Sequence, residues 1–418
     1  MYIKELTNEE FNKFTDNFKY YSIYQTSEYG LLMNNQNYNS VFIGFVDDLD
    51  NIQAGSLLLI EKKNGFKYAY APKGFLIDYT DKFLVEDFTN QLKAYLSNKK
   101  IVAVKINPMI IRSVYDYNTN NYTYNEAHKE QLSFLKSLGY NHLGFNNLFE
   151  SFKPRYTALL DIKKDIHTLF NGMNKAFKNK IKNADQYGIR IYKGTINELD
   201  YLYEEVKNKY PRDKKYFEDL MFYFSKRNMC DYYYAKLDTN AYLVYLQKKM
   251  NEQNEICGKL NAQLFKRHGQ DNNKLIETKI KEENKLNEIK NELVYATTLL
   301  RDFPQGIILS TMIIIKYKNE VCMFMDGYNN KFKKLNAKHL MTWKLIEKYS
   351  HENYKVFNLG GMTNPTIEND KYKGLNEFKL RFNARCVEYV GDLELVCNNT
   401  LYTLYKNATS FKFILKRK

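Results

Sequence analysis

The chain has 418 residues, too long for one simple core, so we expect two domains and an insertion. Hydrophobic residues make up 44% and aromatic residues 16%, which excludes a disordered chain. A formal net charge of +15 suggests a polyanionic partner, such as nucleic acid, a phosphorylated substrate or an anionic membrane surface, but a lysine-rich genomic bias would explain part of this charge, so it selects no function.

The first 150 residues alternate strand-like and helix-like patterns. They predict strands over 41–46, 54–60 and 101–106, and an amphipathic helix over about 81–98. This order is typical of a mixed α/β domain with a central sheet.

The pattern restarts after residue 152 and suggests a second α/β unit of similar order. It predicts helices over 166–187, 196–209, 214–226 and 336–350, and strands over 156–161, 189–192, 230–237, 307–315, 320–326, 355–359 and 386–391. We expect the last strand and a short basic tail to return to the first domain.

Residues 241–301 interrupt the second unit with two long amphipathic helices. Apolar residues follow a 3,4 spacing from Leu243 to Leu264 and again from Leu286 to Leu300, on either side of a break at 267–273. The spacing predicts an antiparallel coiled-coil arm, with an ordinary surface helical hairpin as the alternative.

These patterns predict three parts of the chain. The first domain comprises 1–152 plus 385–418, and the second comprises 153–240 plus 302–384. The arm comprises 241–301.

The cysteines and the apolar runs indicate a cytoplasmic protein. Five cysteines are scattered without a C-x-x-C pair, which favours reduced thiols over disulfides or a zinc site. The N-terminus has no apolar signal region, and the most apolar run, 306–315, is short and β-branched, as in a buried strand.

No nucleophile, metal or cofactor motif stands out. The six histidines have no metal-ligand spacing, and the glycine-rich loops of nucleotide-binding motifs are missing. We therefore expect neither a metal nor a cofactor.

The strongest candidate for the chemical centre is the segment 374–384. It follows a strand that runs into Gly360-Gly361, and it contains Lys379 between Phe378 and Phe382. At such a junction of strand and glycine turn, the lysine is expected to point one cation into a sheltered cleft. The two glycines fit either a strand-ending turn or the close approach of a ligand.

Two further groups of residues are candidates for binding anions. Four lysines within eight residues, Lys175, Lys178, Lys180 and Lys182, form either a solvated helix face or a platform for a phosphate backbone. Arg212 and Tyr216 share one helix face at i,i+4 and suit pyrophosphate or carboxylate recognition, with a salt bridge at the helix start as the alternative.

Six segments, spread over nearly the whole chain, form a recognisable pattern. They are Gln25-Thr26-Ser27-Glu28-Tyr29, residues 70–78, Lys105-Ile106-Asn107-Pro108, Gly360-Gly361, Glu377-Phe378-Lys379 and residues 386–392. Together they resemble the Fem family of peptidoglycan-bridge aminoacyltransferases, which pass amino acids from aminoacyl-tRNA to the stem peptide of a cell-wall precursor. The inserted arm resembles the subgroup that extends glycine bridges.

The resemblance implies an α/β (α+β) fold of two acetyltransferase-like (GNAT) domains with the inserted coiled-coil arm. It implies that Arg212 and Tyr216 bind the precursor and that Phe378 and Lys379 act in catalysis. It also implies aminoacyl-tRNA as co-substrate and a lipid-linked or UDP-linked precursor as acceptor. Further expected contacts are the inner face of the membrane and a second copy or a related transferase.

Three positions depart from the family pattern. Met33 stands where a lysine is expected, and Met325 stands where a tyrosine is expected. Asn107 replaces an aspartate and cannot take a proton.

The implied mechanism has Lys379 stabilise negative charge on the tetrahedral intermediate or on the departing ribose oxygen, while Phe378 excludes water. With no base identified, proton removal is assigned to the substrate. Two alternatives remain: an acetyl-CoA-type N-acyltransferase, whose pyrophosphate loop we do not find, and a non-enzymatic coiled-coil adaptor for tRNA or another polyanion.

Overall fold

The computed structural model describes residues 1–208, 212–267, 272–368 and 370–415, and its side chains up to residue 407. Within that part the chain forms two sheets, so the predicted mixed α/β architecture is confirmed.

The first sheet has seven strands in the order β1-β2-β3-β4-β5-β16-β8. Neighbouring strands are antiparallel except for the parallel pair β4 and β5. The strands are β1 (Tyr2–Leu6), β2 (Asn39–Val46), β3 (Ile52–Lys63), β4 (Phe66–Ala71), β5 (Ile101–Ile106), β8 (Tyr140–His142) and β16 (Leu393–Val396).

The second sheet has nine strands in the order β10-β11-β12-β13-β14-β9-β15-β6-β7. Its parallel pair is β13 and β14, which are paired only from Glu320 to Cys322 on β13. The strands are β6 (Ile111–Asp116), β7 (Asn121–Tyr124), β9 (Tyr156–Asp161), β10 (Ile189–Gly194), β11 (Cys230–Leu237), β12 (Ile307–Tyr317), β13 (Glu320–Tyr328), β14 (Val356–Met362) and β15 (Arg385–Tyr389).

Thirteen α-helices cover the sheets within the described ranges, most of them with a side-chain cap such as Thr7, Thr26 or Asp213. They are α1 (Asn8–Asn17), α2 (Ser27–Asn34), α3 (Lys82–Asn98), α4 (Ala127–Ser137), α5 (Ile166–Gly172), α6 (Lys175–Gln186), α7 (Leu199–Val206), α8 (Lys214–Ser225), α9 (Thr239–Lys266), α10 (Asn273–Asp302), α11 (Ala337–His351), α12 (Lys373–Leu380) and α13 (Asn399–Leu415). Short 3-10 helices occupy Ile196–Glu198 and Asn330–Leu335.

One core cluster joins the two sheets. Tyr29 and Leu57 from the first half pack in it together with Tyr216, Phe217 and Ile313 from the second half. Each sheet also has a separate core on its other face. Because the shared cluster is continuous, the two halves meet over buried apolar surface.

Helices α9 and α10 form the predicted antiparallel hairpin. Gln253 on α9 donates to the backbone oxygen and carboxylate of Glu282 on α10, and nearer the sheet Tyr242 donates to Glu292. The predicted seam positions are all buried or half-buried. Of the predicted break, residues 268–271 lie outside the described residues, and a coiled coil in the strict sense remains a prediction.

The sequence misjudged several elements. The predicted helix 166–187 is two helices, because Met173 takes an extended conformation and Asn174 caps α6. The predicted strand 386–391 is β15 and joins the second sheet, whereas β16, which was not predicted, completes the first sheet. The basic tail contains helix α13.

The predicted domain ranges remain predictions, but the sheets cross them in two places. Strands β6 and β7 come from residues 111–124 of the first range, and β15 comes from its returning segment, yet all three lie in the second sheet. No described helix is long and apolar enough to span a bilayer.

Candidate active site

Lys379 lies at the end of α12 and is 4% exposed. Its ammonium donates a hydrogen bond of 2.5 Å to the backbone oxygen of Gly361. Burial lowers the pKa of Lys379 to about 8, an effect that Asp326 opposes and Lys338 reinforces. The group is therefore a cation at neutral pH, but it gives up its proton more readily than a surface lysine.

Gly360 and Gly361 lie inside β14 rather than in a turn after it, which corrects the turn interpretation. The pairing of β14 with β9 shifts register here. Gly360 has a φ of 85°, and a Cβ atom on it would lie 3.4 Å from Lys379 Nζ. A Cβ atom on Gly361 would lie 2.2 Å from Pro154 Cγ. Gly360 is therefore favoured by its left-handed backbone, and Gly361 by the close approach of Pro154.

Phe378 belongs to an aromatic cluster rather than to a cage around the Lys379 ammonium. Its ring lies 5.3 Å from that of Phe382 and 5.2 Å from that of His339, measured between centroids. Consecutive side chains on a helix point roughly 100° apart, so Phe378 and Lys379 face different directions. Lys379 makes no cation–π contact with any described ring.

A cavity of about 510 Å³ opens beside Phe378, and we call it the lysine pocket. Its wall includes Lys180, Lys333, Lys334, Lys338, Phe332 and Phe378. The Lys338 ammonium pairs with Asp326 and lies 4.6 Å from the centre of the Phe378 ring. Lysine ammonium groups beside phenylalanine rings are suited to a ligand that combines negative charge with aromatic rings.

Lys73 is a second buried lysine, and sequence reasoning missed it. It is 7% exposed and has a left-handed φ of 55°, and its backbone N–H donates to Asn107 Oδ1 at 2.7 Å. Its ammonium donates to the backbone oxygen of Pro154 at 3.1 Å and lies 4.1 Å from the Tyr389 ring centre. Burial lowers the pKa of Lys73 to about 8, and the nearby carboxylates Asp392 and Glu320 oppose this shift.

Lys153 completes a set of three lysines. Its ammonium lies 3.5 Å from the ring centre of Tyr24 and 4.8 Å from that of Tyr29. Burial lowers the pKa of Lys153 well below its ordinary value, and the charges of Arg212 and Lys73 lower it further. Sequence reasoning missed this residue as well, since one lysine in the loop 143–155 has no local signal.

The three lysines converge around one short segment. Lys153 precedes Pro154, whose backbone oxygen accepts from Lys73 and whose ring packs against Gly361. Gly361 in turn accepts from Lys379. We call the space bordered by Lys73, Lys153 and Lys379 the central cleft. None of the three ammonium groups forms an ion pair with a carboxylate in the described part of the chain.

Arg212 and Tyr216 contact each other, and the charge of Arg212 acts on Lys153 of the central cleft. The guanidinium stacks 4.1 Å from the Tyr216 ring centre and donates to Gln36 Oε1 at 3.1 Å. Arg212 precedes the cap residue Asp213 and is not itself helical, so the contact arises from the loop rather than from one helix face. Pro211, predicted to open this helix, lies outside the described residues.

Glu320 is a carboxylate in the central cleft that the sequence did not single out. Its Oε1 atom accepts a 2.7 Å hydrogen bond from Asn358 Nδ2. Burial raises the pKa of Glu320, while Asn358 and the charge of Lys73 oppose the rise. In the sequence, Lys318-Asn319-Glu320 resembles an exposed hairpin turn, which is why it gave no signal.

The sequence model of the FemAB family matches residues 6–410. The chain belongs to the FemAB family.

Two relatives illustrate the FemAB similarity at the sequence level. Aminoacyltransferase FemB of Staphylococcus epidermidis (strain ATCC 12228) is 25% identical, with 100% of both chains covered. Aminoacyltransferase FemA of Staphylococcus aureus (strain MRSA252) is 25% identical, with 97% of both chains covered. This chain is accordingly an enzyme of the aminoacyltransferase class.

The crystal structure of FemX matches the fold with a TM-score of 0.73 at 20% identity, covering 97% of this chain and 99% of that one. At this identity the match shows a shared fold. It agrees with the two-sheet architecture predicted from the sequence.

The three departures from the FemAB pattern have different surroundings. Met33 is buried at 1% exposure in the shared core, one turn after Tyr29. Asn107 accepts from the Lys73 backbone and from the Tyr70 hydroxyl, so it holds the Lys73 loop instead of acting as a base. Met325 is half-buried against the shared core.

The four lysines predicted to bind tRNA do not all lie on one face of α6. Lys180 lines the lysine pocket. Lys178 bonds to the backbone oxygen of Asn171, and Lys175 and Lys182 are exposed elsewhere on α6. Helix geometry separates them, since 175, 178 and 182 follow a 3,4 spacing that position 180 does not share.

No group of His, Cys, Asp and Glu side chains in the described residues has the arrangement of a metal site. Of the six histidines, His268 lies outside the described residues. His339 is packed beside Phe378, and burial lowers its pKa to about 3, so its ring is neutral.

Proposed function

We propose that the chain transfers an amino acid, glycine, from aminoacyl-tRNA to an amino group of a peptidoglycan precursor, either on the stem peptide or on the growing cross-bridge. Membership of the FemAB family and the name aminoacyltransferase of its relatives support the reaction class. The inserted hairpin, with its resemblance to glycine-extending members, favours glycine.

The observation that carries the proposal is the pair of buried cations Lys73 and Lys379, with the half-buried Lys153 beside them in the central cleft. Moving an ammonium group out of water is costly unless an anion or several dipoles compensate for it. Lys73 and Lys379 have one backbone oxygen each, and Lys153 has aromatic faces. The cleft therefore favours a ligand with several negative charges, and the pyrophosphate of a lipid-linked or UDP-linked precursor supplies them.

Arg212 extends this acceptor site outward. A guanidinium that is held by the Tyr216 ring and by Gln36 keeps further N–H groups for a ligand, and its planar fork matches phosphate oxygens. Arg212 and Tyr216 are accordingly assigned to precursor binding.

The lysine pocket is assigned to the donor. It lies beside α12, since Phe378 lines it, and the charge of its Lys338 acts on Lys379. Lysines neutralise RNA phosphates, and aromatic rings such as Phe332 and Phe378 stack on bases. A terminal nucleotide held there would place its ester near the Lys379 ammonium.

In the proposed reaction the donor ester is already activated, so the protein supplies position and charge. Lys379, held by Gly361, faces the negative charge that develops on the tetrahedral intermediate and on the leaving ribose oxygen. A pKa of about 8 leaves it protonated at neutral pH and able to donate a proton to that oxygen. Aminoacyl-tRNA is the co-substrate, and no other cofactor takes part in the scheme.

The location that fits this reaction is the cytoplasm, at the inner face of the membrane when the precursor is lipid-linked. The net charge of +15 favours contact with an anionic bilayer surface.

The test is incubation of the purified protein with a mixed aminoacyl-tRNA pool and with lipid-linked and UDP-linked precursors, followed by mass spectrometry. We expect a precursor heavier by one or more glycine residues, and no product after RNase treatment. Acetylated precursor formed with acetyl-CoA would favour an ordinary N-acyltransferase. RNA binding without any product would favour an adaptor.

A further inference from the structure

Glu320 lies in the central cleft and has no part in the reaction outlined above. Resting on the proposed function, we propose that Glu320 accepts the proton that the acceptor amine loses before it attacks the aminoacyl ester. From the sequence alone, removal of this proton was assigned to the substrate, because no carboxylate or histidine was identified as a base.

The position of Glu320 follows from the pairing of β13 with β14. Glu320 and Cys322 are two residues apart on β13, so their side chains lie on the same face of the sheet. Cys322 is paired with Asn358 on the neighbouring strand β14. Asn358 donates to Glu320 Oε1 at 2.7 Å and accepts from the Gly360 N–H at 2.8 Å. The amide thus ties the carboxylate to the same glycine segment that holds Lys379.

This arrangement leaves one oxygen of the carboxylate for a ligand. Asn358 contacts Oε1, and no described residue forms a hydrogen bond with Oε2. An entering ammonium group would find Oε2 as its acceptor in a cleft otherwise bordered by lysines. Placing an ammonium group beside the Lys73 and Lys379 cations without such a partner would be unfavourable.

The carboxylate of Glu320 is more basic than that of an ordinary glutamate, and several groups surround it. Tyr21 and Tyr24 face it from the segment before α2, and Tyr389 faces it from β15. Cys322 shares its strand, and Lys73 approaches from the loop after β4. Burial raises the pKa of Glu320, and Lys73 and Asn358 limit that rise.

The chemical step balances with these groups. An N–H bond of the acceptor ammonium breaks, and its proton goes to the Glu320 carboxylate. The freed electron pair forms the bond between nitrogen and the ester carbonyl carbon. The C–O bond to the ribose then breaks as Lys379 donates a proton to the ribose oxygen. The nitrogen gives its second proton to the neutral Lys379 amine, which restores the charge of that side chain. One proton remains on Glu320 and leaves to solvent with the product.

The alternative role for Glu320 is to balance the charge of Lys73. In that case its replacement by glutamine would change stability or precursor affinity but not the pH dependence of turnover. The two roles therefore differ in a kinetic signature.

The first experiment compares turnover against pH for wild type, Glu320→Gln and the control Glu347→Gln, whose side chain pairs with Lys344 on the surface of α11. We expect Glu320→Gln to lower kcat on the order of 10² or more and to lose the decline of rate at low pH. Near-normal turnover would overturn the proposal. So would an unchanged decline of the rate at low pH, which we call the acid limb of the profile.

A second variant guards against misfolding of Glu320→Gln. Asn358→Ala removes the hydrogen bond that lowers the pKa of Glu320 and should move the acid limb to higher pH. An unmoved limb would count against Glu320 as the proton acceptor.

The final experiment uses binding alone, so that it separates this proposal from the proposed function. Wild type and Glu320→Gln are titrated with lipid-linked precursor whose acceptor amine is either free or acetylated. We expect wild type to prefer the free amine and the variant to lose that preference. Precursor binding without any preference in wild type overturns the role of Glu320 alone, and no precursor binding overturns both proposals.

Discussion

At the scale of single residues, burial without a counter-ion is what distinguishes Lys379 and Lys73. Both keep a positive charge at neutral pH, and for each a single backbone oxygen is the described hydrogen-bond acceptor. This is unfavourable for folding and useful for binding anions, a combination typical of functional sites.

Replacing Lys379 with methionine should lower kcat on the order of 10² or more, because the charge that faces the leaving oxygen is lost. Precursor affinity should change much less. The control is Lys373→Met at the exposed start of α12. Equal rates for the two variants in a single-turnover assay would remove Lys379 from the reaction.

The same burial predicts how stability depends on pH. The pKa of Lys73 and of Lys379 is about 8 in the folded chain and near the ordinary 10.5 when unfolded. Between these values the unfolded chain binds more protons, so stability should rise with pH from about 8 to 10. Above about pH 10 stability should fall again, because buried tyrosines with a raised pKa keep their protons in the folded chain and lose them in the unfolded chain.

Lys379→Met or Lys73→Met should therefore be more stable than wild type at pH 7, by up to roughly 3 kcal/mol at about 1.36 kcal/mol per pKa unit. Denaturant unfolding at pH 7 and at pH 9.5 measures this. A variant without a gain at pH 7 would show that the lysine is solvated in the folded chain.

At the scale of elements, the irregular part of β14 decides where the site forms. The sequence predicts a strand that ends at the two glycines. In the structure β14 continues through both glycines to Met362, and α12 follows it in the chain. Local pattern cannot reveal this, because the reason for Gly361 is Pro154, some two hundred residues earlier in the chain.

Gly361→Ala should unfold this segment or displace Pro154, because its Cβ would lie 2.2 Å from the proline ring. We expect loss of activity and a lower Tm. Gly258→Ala on α9, where no heavy atom lies within 4 Å, is the control and should raise stability slightly. If Gly361→Ala had the Tm and the activity of wild type, Pro154 would have moved to make room for the new methyl group.

Helix α6 gives a second prediction at this scale. Lys180→Glu and Lys334→Glu should each weaken binding of aminoacyl-tRNA and reduce the salt slope by about 1, since both line the lysine pocket. Lys182→Glu carries the same charge change outside the pocket and should have the smaller effect. Fluorescence titrations over a range of salt measure this. Equal effects of all three would favour the whole helix face as the RNA platform.

At the scale of the whole molecule, the described part of the hairpin joins the core of the second sheet at its root. Tyr242, Leu246, Ala296 and Leu299 belong to that core. Beyond Gln253 and Glu282 the helices pack on each other. Lys334 of the lysine pocket lies 3.5 Å from the ring centre of Tyr295 at the root, so the hairpin borders the proposed donor site.

Replacing residues 255–281 with a short loop should therefore leave Tm and precursor affinity nearly unchanged. If the hairpin guides the donor, its shortening should raise KM for aminoacyl-tRNA with little change in kcat. Unfolding of the shortened chain would instead show that the hairpin supports the second domain.

The sequence by itself determined the two α/β units, the hairpin and its seam, and the candidacy of Lys379, Arg212 and Tyr216. These depend on periodicity, on residue type and on a resemblance that runs along the chain, all of which are local or ordered in sequence. Only the tertiary structure decided that β15 and β16 enter different sheets and that Lys73, Lys153 and Glu320 border the same cleft as Lys379. Those residues come from separate loops and strand ends, and their burial and charge balance exist only once the two sheets pack together.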